Sequence, residues 1–250
     1  MKKLLLPFII LVLLTGCKKE DFELEFEDFS IEQVSEENCN PEEENCTFIS
    51  IRTPWAKNKG VRSERINQKI EEHLIQLIDY QEENNLRKLE AFTQKFIDDY
   101  EASSKEFPEY NIPWEASVEG RITYKSPELI SIKFELALFT GGAHGYSSVS
   151  YLNFDPKTGE QLLNKDLFNE EFKSYAEKIF RKKNGISENE PINSTGFIFE
   201  NDSFQLPQNI GFLKNKIVLR YNAYEVASYA EGDIQLEIPL KDVEEFFKIL

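Results

Sequence analysis

The spacing of apolar residues changes along this chain, and that change limits the fold more than any other feature of the sequence. Apolar residues alternate with acidic ones near the start, recur every three or four residues over 63–104, and alternate again from residue 116 onward. Alternation is typical of strands with one buried face, whereas the longer spacing is typical of amphipathic helices. The sequence therefore predicts a helix pair, or one long bent helix, that interrupts a series of strands.

Short turns separate the later strands, at residues 126–128 and 155–159. Strands joined by short turns favour antiparallel pairing, and separate blocks of helix and strand favour an α+β fold over an alternating βαβ arrangement. We therefore predict an α+β protein in which antiparallel sheets pack against the long helix or helix pair. A C-terminal helix is predicted from Leu240, because the residues that follow form an apolar stripe: Val243, Phe246, Phe247 and Leu250.

Residues 1–16 are predicted to be a signal peptide. Lys2 and Lys3 precede an apolar run over 4–14, which is too short for a bilayer-spanning helix of about 20 residues. The four residues that end in Cys17 resemble the bacterial lipobox, in which the cysteine receives a diacylglyceryl group and becomes the new N-terminus. This resemblance predicts a lipid anchor in the bilayer through Cys17. An ordinary secretory signal with an incidental cysteine is the alternative.

Acidic residues are concentrated beside this anchor, in a segment predicted to run over 17–46. The whole chain has 29 Lys and Arg against 45 Asp and Glu, a formal net charge of −16. This charge argues against nucleic acid as a partner, since polyanions are bound by clustered Lys and Arg. The charged residues after Cys17 also resemble signals that direct some Bacteroidetes lipoproteins to the outer membrane, on its periplasmic or surface-exposed face.

The cysteine and histidine content limits the available chemistry. Apart from Cys17, the chain has Cys39 and Cys46, and an oxidising, exported setting predicts a disulfide between them. Two thiols without further Cys or His nearby cannot complete a zinc site, so no metal is predicted. No cofactor is predicted either, because the glycine-rich residues 141–145 join two strands, whereas a phosphate-binding loop opens a helix.

Two connections carry candidate ligand-binding residues. In the first, His144 is flanked by glycine-rich sequence and followed by Tyr146, so that backbone could approach a ligand closely. In the second, Tyr224, Glu225 and Tyr229 bring aromatic rings and a carboxylate together, a composition of recognition surfaces. Packing is the alternative for both, with a structural histidine in a turn and tyrosines that close a loop. No catalytic residue is assigned.

Several stretches of the chain, taken in order, resemble a pair of domains of unknown function. They are residues 46–54, 65–70, 139–145, 152–159, 166–168 and 221–232. The pair is found in the extracellular region of the anti-sigma factor RsiV and in the N-terminal region of the peptidoglycan deacetylase PdaC. The resemblance implies two modules, over 47–145 and 146–250, that pack into one α+β unit. It does not imply deacetylase activity, which belongs to a separate metal-dependent domain of PdaC.

These observations support three functional hypotheses. The first is a lipid-anchored, non-catalytic binding or sensory module of the cell envelope, with lysozyme or a peptidoglycan-derived glycan as its partner. Negative charge would accelerate its encounter with a basic protein such as lysozyme. The second is a cell-wall glycan hydrolase or deacetylase-associated protein, which would have to use carboxylates because the two histidines are far apart in sequence. The third is a structural lipoprotein with no soluble ligand.

Overall fold

The computed structural model describes residues 24–35, 46–57, 60–79, 85–110 and 112–249. The predicted signal peptide, the predicted lipid anchor at Cys17 and the predicted disulfide partner Cys39 lie outside these ranges. Within them, no helix is both long enough and apolar enough to cross a membrane.

Five strands form the larger sheet, in the order β1-β2-β3-β4-β5. They are β1 (Phe26–Val34), β2 (Phe48–Ala56), β3 (Glu115–Lys125), β4 (Ile130–Phe139) and β5 (Tyr146–Phe154). The predicted antiparallel pairing holds for three of the four neighbouring pairs, whereas β2 and β3 run parallel. A parallel pair requires a long crossover connection, and the helical region between β2 and β3 provides it.

The helical region forms two separate helices, α1 (Val61–Ile78) and α2 (Leu89–Glu106), which confirms the predicted helix pair. Along α1 the buried apolar positions recur at helical spacing, and they pack with residues of α2 and of the sheet in one continuous core. Glu71 of α1 joins the two helices, because its buried carboxylate accepts a hydrogen bond from the Lys88 ammonium at 2.7 Å and from the Leu89 backbone N–H at 3.4 Å. A carboxylate at this position also interacts favourably with the N-terminus of α2.

The remaining elements form a smaller unit with its own core. They are α3 (Asn164–Leu167), α4 (Glu171–Asn184), β6 (Asn209–Phe212), β7 (Lys216–Tyr221) and β8 (Ile234–Pro239). The three strands form an antiparallel sheet in the order β6-β7-β8, and phenylalanine rings from α4, from β6 and from the connecting segments fill the core. The α+β class predicted from the sequence is therefore confirmed.

The C-terminal helix takes a different form from the α-helix that the apolar stripe suggested. It consists of two short 3-10 turns, Leu240–Asp242 and Glu244–Phe246. Val243 lies between them with φ −123° and ψ 0°, outside the helical region, so the chain bends there. The apolar residues of the predicted stripe nevertheless contribute to packing, because Val243 and Phe246 are both buried in the second core.

Strand β5 is the element on which the two units meet. Its residues from Ser148 to Phe154 are all buried, because α1 lies over one face and the smaller sheet over the other. The Asn153 side-chain amide donates to the Ile210 carbonyl at 2.7 Å, and the Phe212 N–H donates to Ser131 Oγ at 3.1 Å. This strand follows the module boundary predicted at residue 145, yet it is hydrogen-bonded into the first sheet.

Candidate functional site

The hairpin between β4 and β5 presents the first candidate residues. Residues 140–147 are all exposed, and the turn depends on two glycines, Gly141 with φ 78° and Gly142 with φ 139°. L-residues with a side chain rarely adopt these backbone angles, so glycine is required for this hairpin geometry. The loop holds the His144 imidazole outside the core, where its Nδ1 lies 3.2 Å from the Gly145 carbonyl oxygen.

The connection from β7 to β8 presents the second set, and Asn222 positions it. The Asn222 side-chain oxygen accepts a hydrogen bond from the Val149 N–H at 2.9 Å, while its amide nitrogen donates to the Val149 carbonyl at 3.0 Å. The amide thus pairs with β5 as a neighbouring strand would, using backbone groups that β5 does not use in its ladder with β4. A side chain of the second unit is in this way attached to a strand of the first sheet.

Three of the five candidates meet in one aromatic stack, defined here as His144, Tyr224 and Tyr229. The imidazole of His144 and the ring of Tyr229 have centroids 5.0 Å apart and planes inclined by 22°. Tyr229 also stacks on Tyr224, at 5.3 Å and 26°. The two tyrosines remain 47% and 58% exposed, for Tyr229 and Tyr224 respectively. Neither tyrosine therefore belongs to either hydrophobic core.

Tyr224 adopts an unusual backbone conformation at this stack. Its φ is 72°, in the left-handed region that a bulky L-residue rarely occupies. Such a conformation costs about 1–2 kcal/mol, and residues that retain it are concentrated at functional sites. The chain therefore accepts local strain at a residue whose ring faces solvent.

The other two candidates, Glu225 and Tyr146, are close to residues of the stack in sequence but do not stack on its rings. The Glu225 carboxylate accepts a hydrogen bond from the Asn222 amide at 3.2 Å, and partial desolvation raises the pKa of this carboxyl above its ordinary value. Tyr146 is 43% exposed and borders a shallow depression of about 300 Å³, which Phe48, Phe139 and the exposed ends of β3 to β5 also line. Glu225 thus supports the loop, whereas Tyr146 belongs to an adjoining surface.

His73, the second histidine of the chain, is placed quite differently. Its Nε2 lies 2.7 Å from Ser150 Oγ, and its ring packs against Phe134 with centroids 5.3 Å apart. Burial lowers the pKa of this imidazole from 6.5 to about 4, because the charged form is poorly solvated there. The structure therefore places His73 half-buried between α1 and the sheet, at the core-edge position expected from the helical spacing.

Sequence reasoning missed the role of Asn222, the residue that holds the second loop in place. Its only sequence signal was its position directly after β7, in a tyrosine-rich connection. An asparagine that pairs with a distant strand cannot be distinguished in sequence from one that forms a local turn, because both uses favour the same residue type.

The cysteines and acidic residues of the described part offer no metal centre. Among the described residues, no group of three or more His, Cys, Asp or Glu side chains is placed to hold a metal ion. Cys46 is buried and disulfide-bonded. Since Cys39 lies outside the described residues, the Cys39–Cys46 pairing stays a prediction.

Comparisons with known proteins identify the two halves of the chain. Solved structures of DUF3298 family proteins share its fold. A DUF3298 family member from Bacteroides fragilis NCTC 9343 has a TM-score of 0.65 and 16% identity, covering 90% of this chain and 93% of that chain. A DUF3298 family protein from Pseudomonas aeruginosa PAO1 has a TM-score of 0.64 and 19% identity, covering 90% and 94%. Among curated proteins, none matches this chain.

Two family models match successive parts of the sequence. The family described as "Deacetylase PdaC" matches residues 41–147, and the family described as "Protein of unknown function (DUF3298)" matches residues 165–241. His144 lies in the first match, and Tyr224 and Tyr229 lie in the second, so the aromatic stack contains residues of both. The PdaC family model thus matches before the DUF3298 family model along the chain, which confirms the resemblance to this domain pair inferred from the sequence.

Proposed function

We propose that this chain is a non-catalytic binding module of the cell envelope and that the aromatic stack is its ligand-contact surface. The PdaC-related domain indicates an extracytoplasmic location. The observation that carries the proposal is the stacking of an exposed imidazole and two exposed tyrosine rings that come from both domains. Lipidation at Cys17 would hold this surface beside a membrane.

Exposure of the stack is the first argument for ligand binding. Aromatic side chains bury about 150–250 Å² each in cores and interfaces. Because Tyr224 and Tyr229 remain about half exposed, the fold does not obtain the full stabilisation that burying their rings would contribute. Aromatic residues are also the commonest residues at the energetic centres of interfaces. A ligand that covers these rings would recover the burial that folding alone does not provide.

A wall-derived glycan is the ligand that the stack supports best. Sugar rings combine apolar C–H faces with hydroxyl groups, and the stack offers matching partners in aromatic rings and tyrosine hydroxyls. Within the described part of the chain, neither the Tyr224 nor the Tyr229 hydroxyl forms a hydrogen bond to another residue. Both are therefore available to a polar ligand.

The experiment is co-sedimentation of the mature chain with insoluble peptidoglycan sacculi, comparing the natural chain with Tyr229→Ala. Tyr229 contacts both other rings, so its removal should weaken binding about tenfold or more, the effect expected of an aromatic residue at a binding centre. Phe107→Ala is the control, since Phe107 is an aromatic residue 53% exposed outside the stack. Equal binding of all three chains would contradict the proposal.

Lysozyme is a second candidate ligand, favoured by the formal net charge of −16. Attraction between this acidic chain and a basic protein would increase the association rate and would weaken as salt screens it. Titration of lysozyme against the immobilised chain at low and physiological salt tests this candidate. Absence of saturable binding at both salt concentrations would remove it.

The same sacculus incubation tests the enzymatic hypothesis. A carboxylate-based hydrolase would release reducing ends, and a deacetylase would release acetate. Either product, formed by the natural chain and absent from a heat-inactivated control, would replace the non-catalytic proposal with an enzymatic one.

A further inference from the structure

A small cleft borders the same hairpin that carries His144. Its volume is about 150 Å³, below the 300–1,000 Å³ typical of sites for drug-sized ligands. Residues of both helices, of β4 and of the hairpin line it together with Trp114, among them Phe96, Lys95, Asp99 and Thr140. The cleft therefore has room for one small ring rather than for a large ligand.

Trp114 forms a rigid wall of this cleft. Its ring meets Phe96 edge-on at 5.8 Å and Tyr100 at 5.9 Å, and its backbone N–H donates to Thr47 Oγ1 at 2.8 Å. The indole N–H forms no hydrogen bond with another described residue, and the nearest approach from the hairpin is by Gly141, where an added Cβ would lie 3.7 Å from Nε1. An aromatic wall with an available donor is thus fixed beside the hairpin.

The polar groups of the cleft select the chemistry of its occupant. Lys95 and Asp99 form an ion pair at its rim, and Asp79 contributes a second carboxylate. A purely apolar ligand would remove water from these charged groups without replacing their hydrogen bonds. An anion would have to compete with Asp99 for the Lys95 ammonium, which is unfavourable. A neutral ligand with several hydroxyl groups can instead donate to the carboxylates, accept from Lys95 and cover the indole ring.

We infer that the Trp114 cleft binds one pyranose unit of a glycan. The inference deepens the proposed function, because the choice of a glycan rests on it, and it names a second contact for the same ligand. Thr140 lines the cleft and His144 belongs to the stack, so the two sites are four residues apart in one hairpin. Their Cα atoms are separated by at most about 14 Å. A glycan strand of several units can therefore reach both sites, and contact at two linked sites raises affinity.

Intrinsic fluorescence tests this inference directly, because the chain has two tryptophans and the stack has none. Trp55 stacks on Phe29, with ring centroids 4.8 Å apart, and is absent from the cleft lining. In a full mature chain with Trp55→Phe, all tryptophan emission comes from Trp114. Titration with N-acetylglucosamine oligomers of increasing length should change this emission saturably, with affinity rising about tenfold or more between the short and long oligomers.

Two further variants test whether the fluorescence response comes from binding in the Trp114 cleft. Trp114→Phe leaves Trp55 as the reporter, and its emission should stay constant during the same titration. Asp99→Asn retains the shape of the side chain but removes a charged acceptor, and should weaken the response of Trp114 about tenfold. Constant Trp114 emission, or a response unaffected by Asp99→Asn, would overturn the inference.

Failure of the inference and failure of the proposed function give different results. If Tyr229→Ala weakens sacculus binding while Trp114 emission is constant, the stack binds glycan and the cleft does not. If Trp114 responds while Tyr229→Ala binds sacculi normally, the cleft is a sugar site and the stack is not the contact surface.

Discussion

The two units of this protein fill their cores with different side chains. The first core, between the five-stranded sheet and α1 and α2, consists mainly of isoleucine and leucine. The second, around the three-stranded sheet, is built on phenylalanine rings, with Phe180 in contact with the rings of Phe197, Phe199, Phe204 and Tyr221. Strands β1 to β5 have 9–11 residues, whereas β6 to β8 have 4–6. Short strands offer few inward positions, so each must contribute more volume, and aromatic rings provide it.

The polar contents of the two cores also differ. The first contains the His73–Ser150 hydrogen bond and the buried carboxylate of Glu71, both between helix and neighbouring elements. At the centre of the second core, aromatic rings pack against one another. The stability of the first unit should therefore depend on pH, because polar groups contribute to its core. The stability of the second unit should depend instead on the shapes of the side chains that fill its core.

The largest expected effect is the pH dependence of the first unit. The pKa of His73 is lowered to about 4 in the folded chain, so between pH 6.5 and 4 only the unfolded chain binds this proton. The free energy of unfolding should therefore fall as the pH falls, by about 2 kcal/mol at pH 5 and about 3 kcal/mol at pH 4. Urea unfolding at pH 7 and pH 5 measures it.

His73→Gln is the matched control for this pH dependence, since glutamine can still donate to Ser150 but does not titrate in this range. Carboxylates with lowered pKa, such as Glu72 and Glu135, lose their stabilising contribution only near and below their ordinary value of 4.5. A loss of stability at pH 5 that persists in full in His73→Gln would show that another group is responsible.

The next largest effect concerns the join between the two units. Asn222→Ala removes three side-chain hydrogen bonds, and the loss of two of them leaves the buried Val149 N–H and C=O without their partners. The expected loss is about 2–3 kcal/mol of unfolding free energy, because unsatisfied buried groups cost more than the bonds contribute. Asn215→Ala, at an exposed asparagine, should change it by less than about 0.5 kcal/mol. Similar values for both variants would mean that the amide does not hold the units together.

A smaller effect is expected from replacing a phenylalanine by leucine, and its size should differ between the two cores. Phe180→Leu removes one ring from a group of four neighbours, whereas Phe134→Leu loses a ring whose aromatic neighbour is His73. Each aromatic pair contributes about 0.5–1.5 kcal/mol beyond burial, so at the low end of this range the three additional pairs make Phe180→Leu the more destabilising by about 1.5 kcal/mol. Denaturant midpoints measure both variants. Equal losses would indicate that the second core does not depend on ring contacts.

The smallest stability effect is expected at the aromatic stack itself. Tyr229→Ala removes a ring that is 47% exposed, so the unfolding free energy should fall by no more than about 1 kcal/mol. The same variant should show the large loss of sacculus binding described above. A destabilisation as large as that of Phe180→Leu would instead make the stack part of the structural framework.

Much of the fold followed from local patterns. The apolar spacing predicted the helix pair because α1 buries Ile66, Ile70 and Leu74 on one face, and alternation predicted strands such as β4 for the same reason. The pairing of strands that are distant in sequence was harder to predict. The parallel pairing of β2 with β3 depends on how the helices cross the sheet, and no local signal in either strand encodes its direction.

The candidate site shows the same division between residue choice and arrangement. The glycines at 141 and 142 and the tyrosines after β7 indicated two unusual loops, because these residue types have special backbone or surface properties. Their meeting was not predictable, since His144 and Tyr229 are far apart in sequence and are brought together by the packing of the second unit on β5.

The sequence by itself determined the α+β class, the helix pair, the acidic charge and the two loops that carry exposed aromatic residues, because each depends on composition or on spacing between near neighbours. Only the tertiary structure decided that the loops form one stack, that Asn222 substitutes for a strand at the edge of β5, and that one histidine is half-buried against the sheet while the other is exposed. These depend on contacts between residues distant in the chain, which a single sequence does not specify in any local pattern.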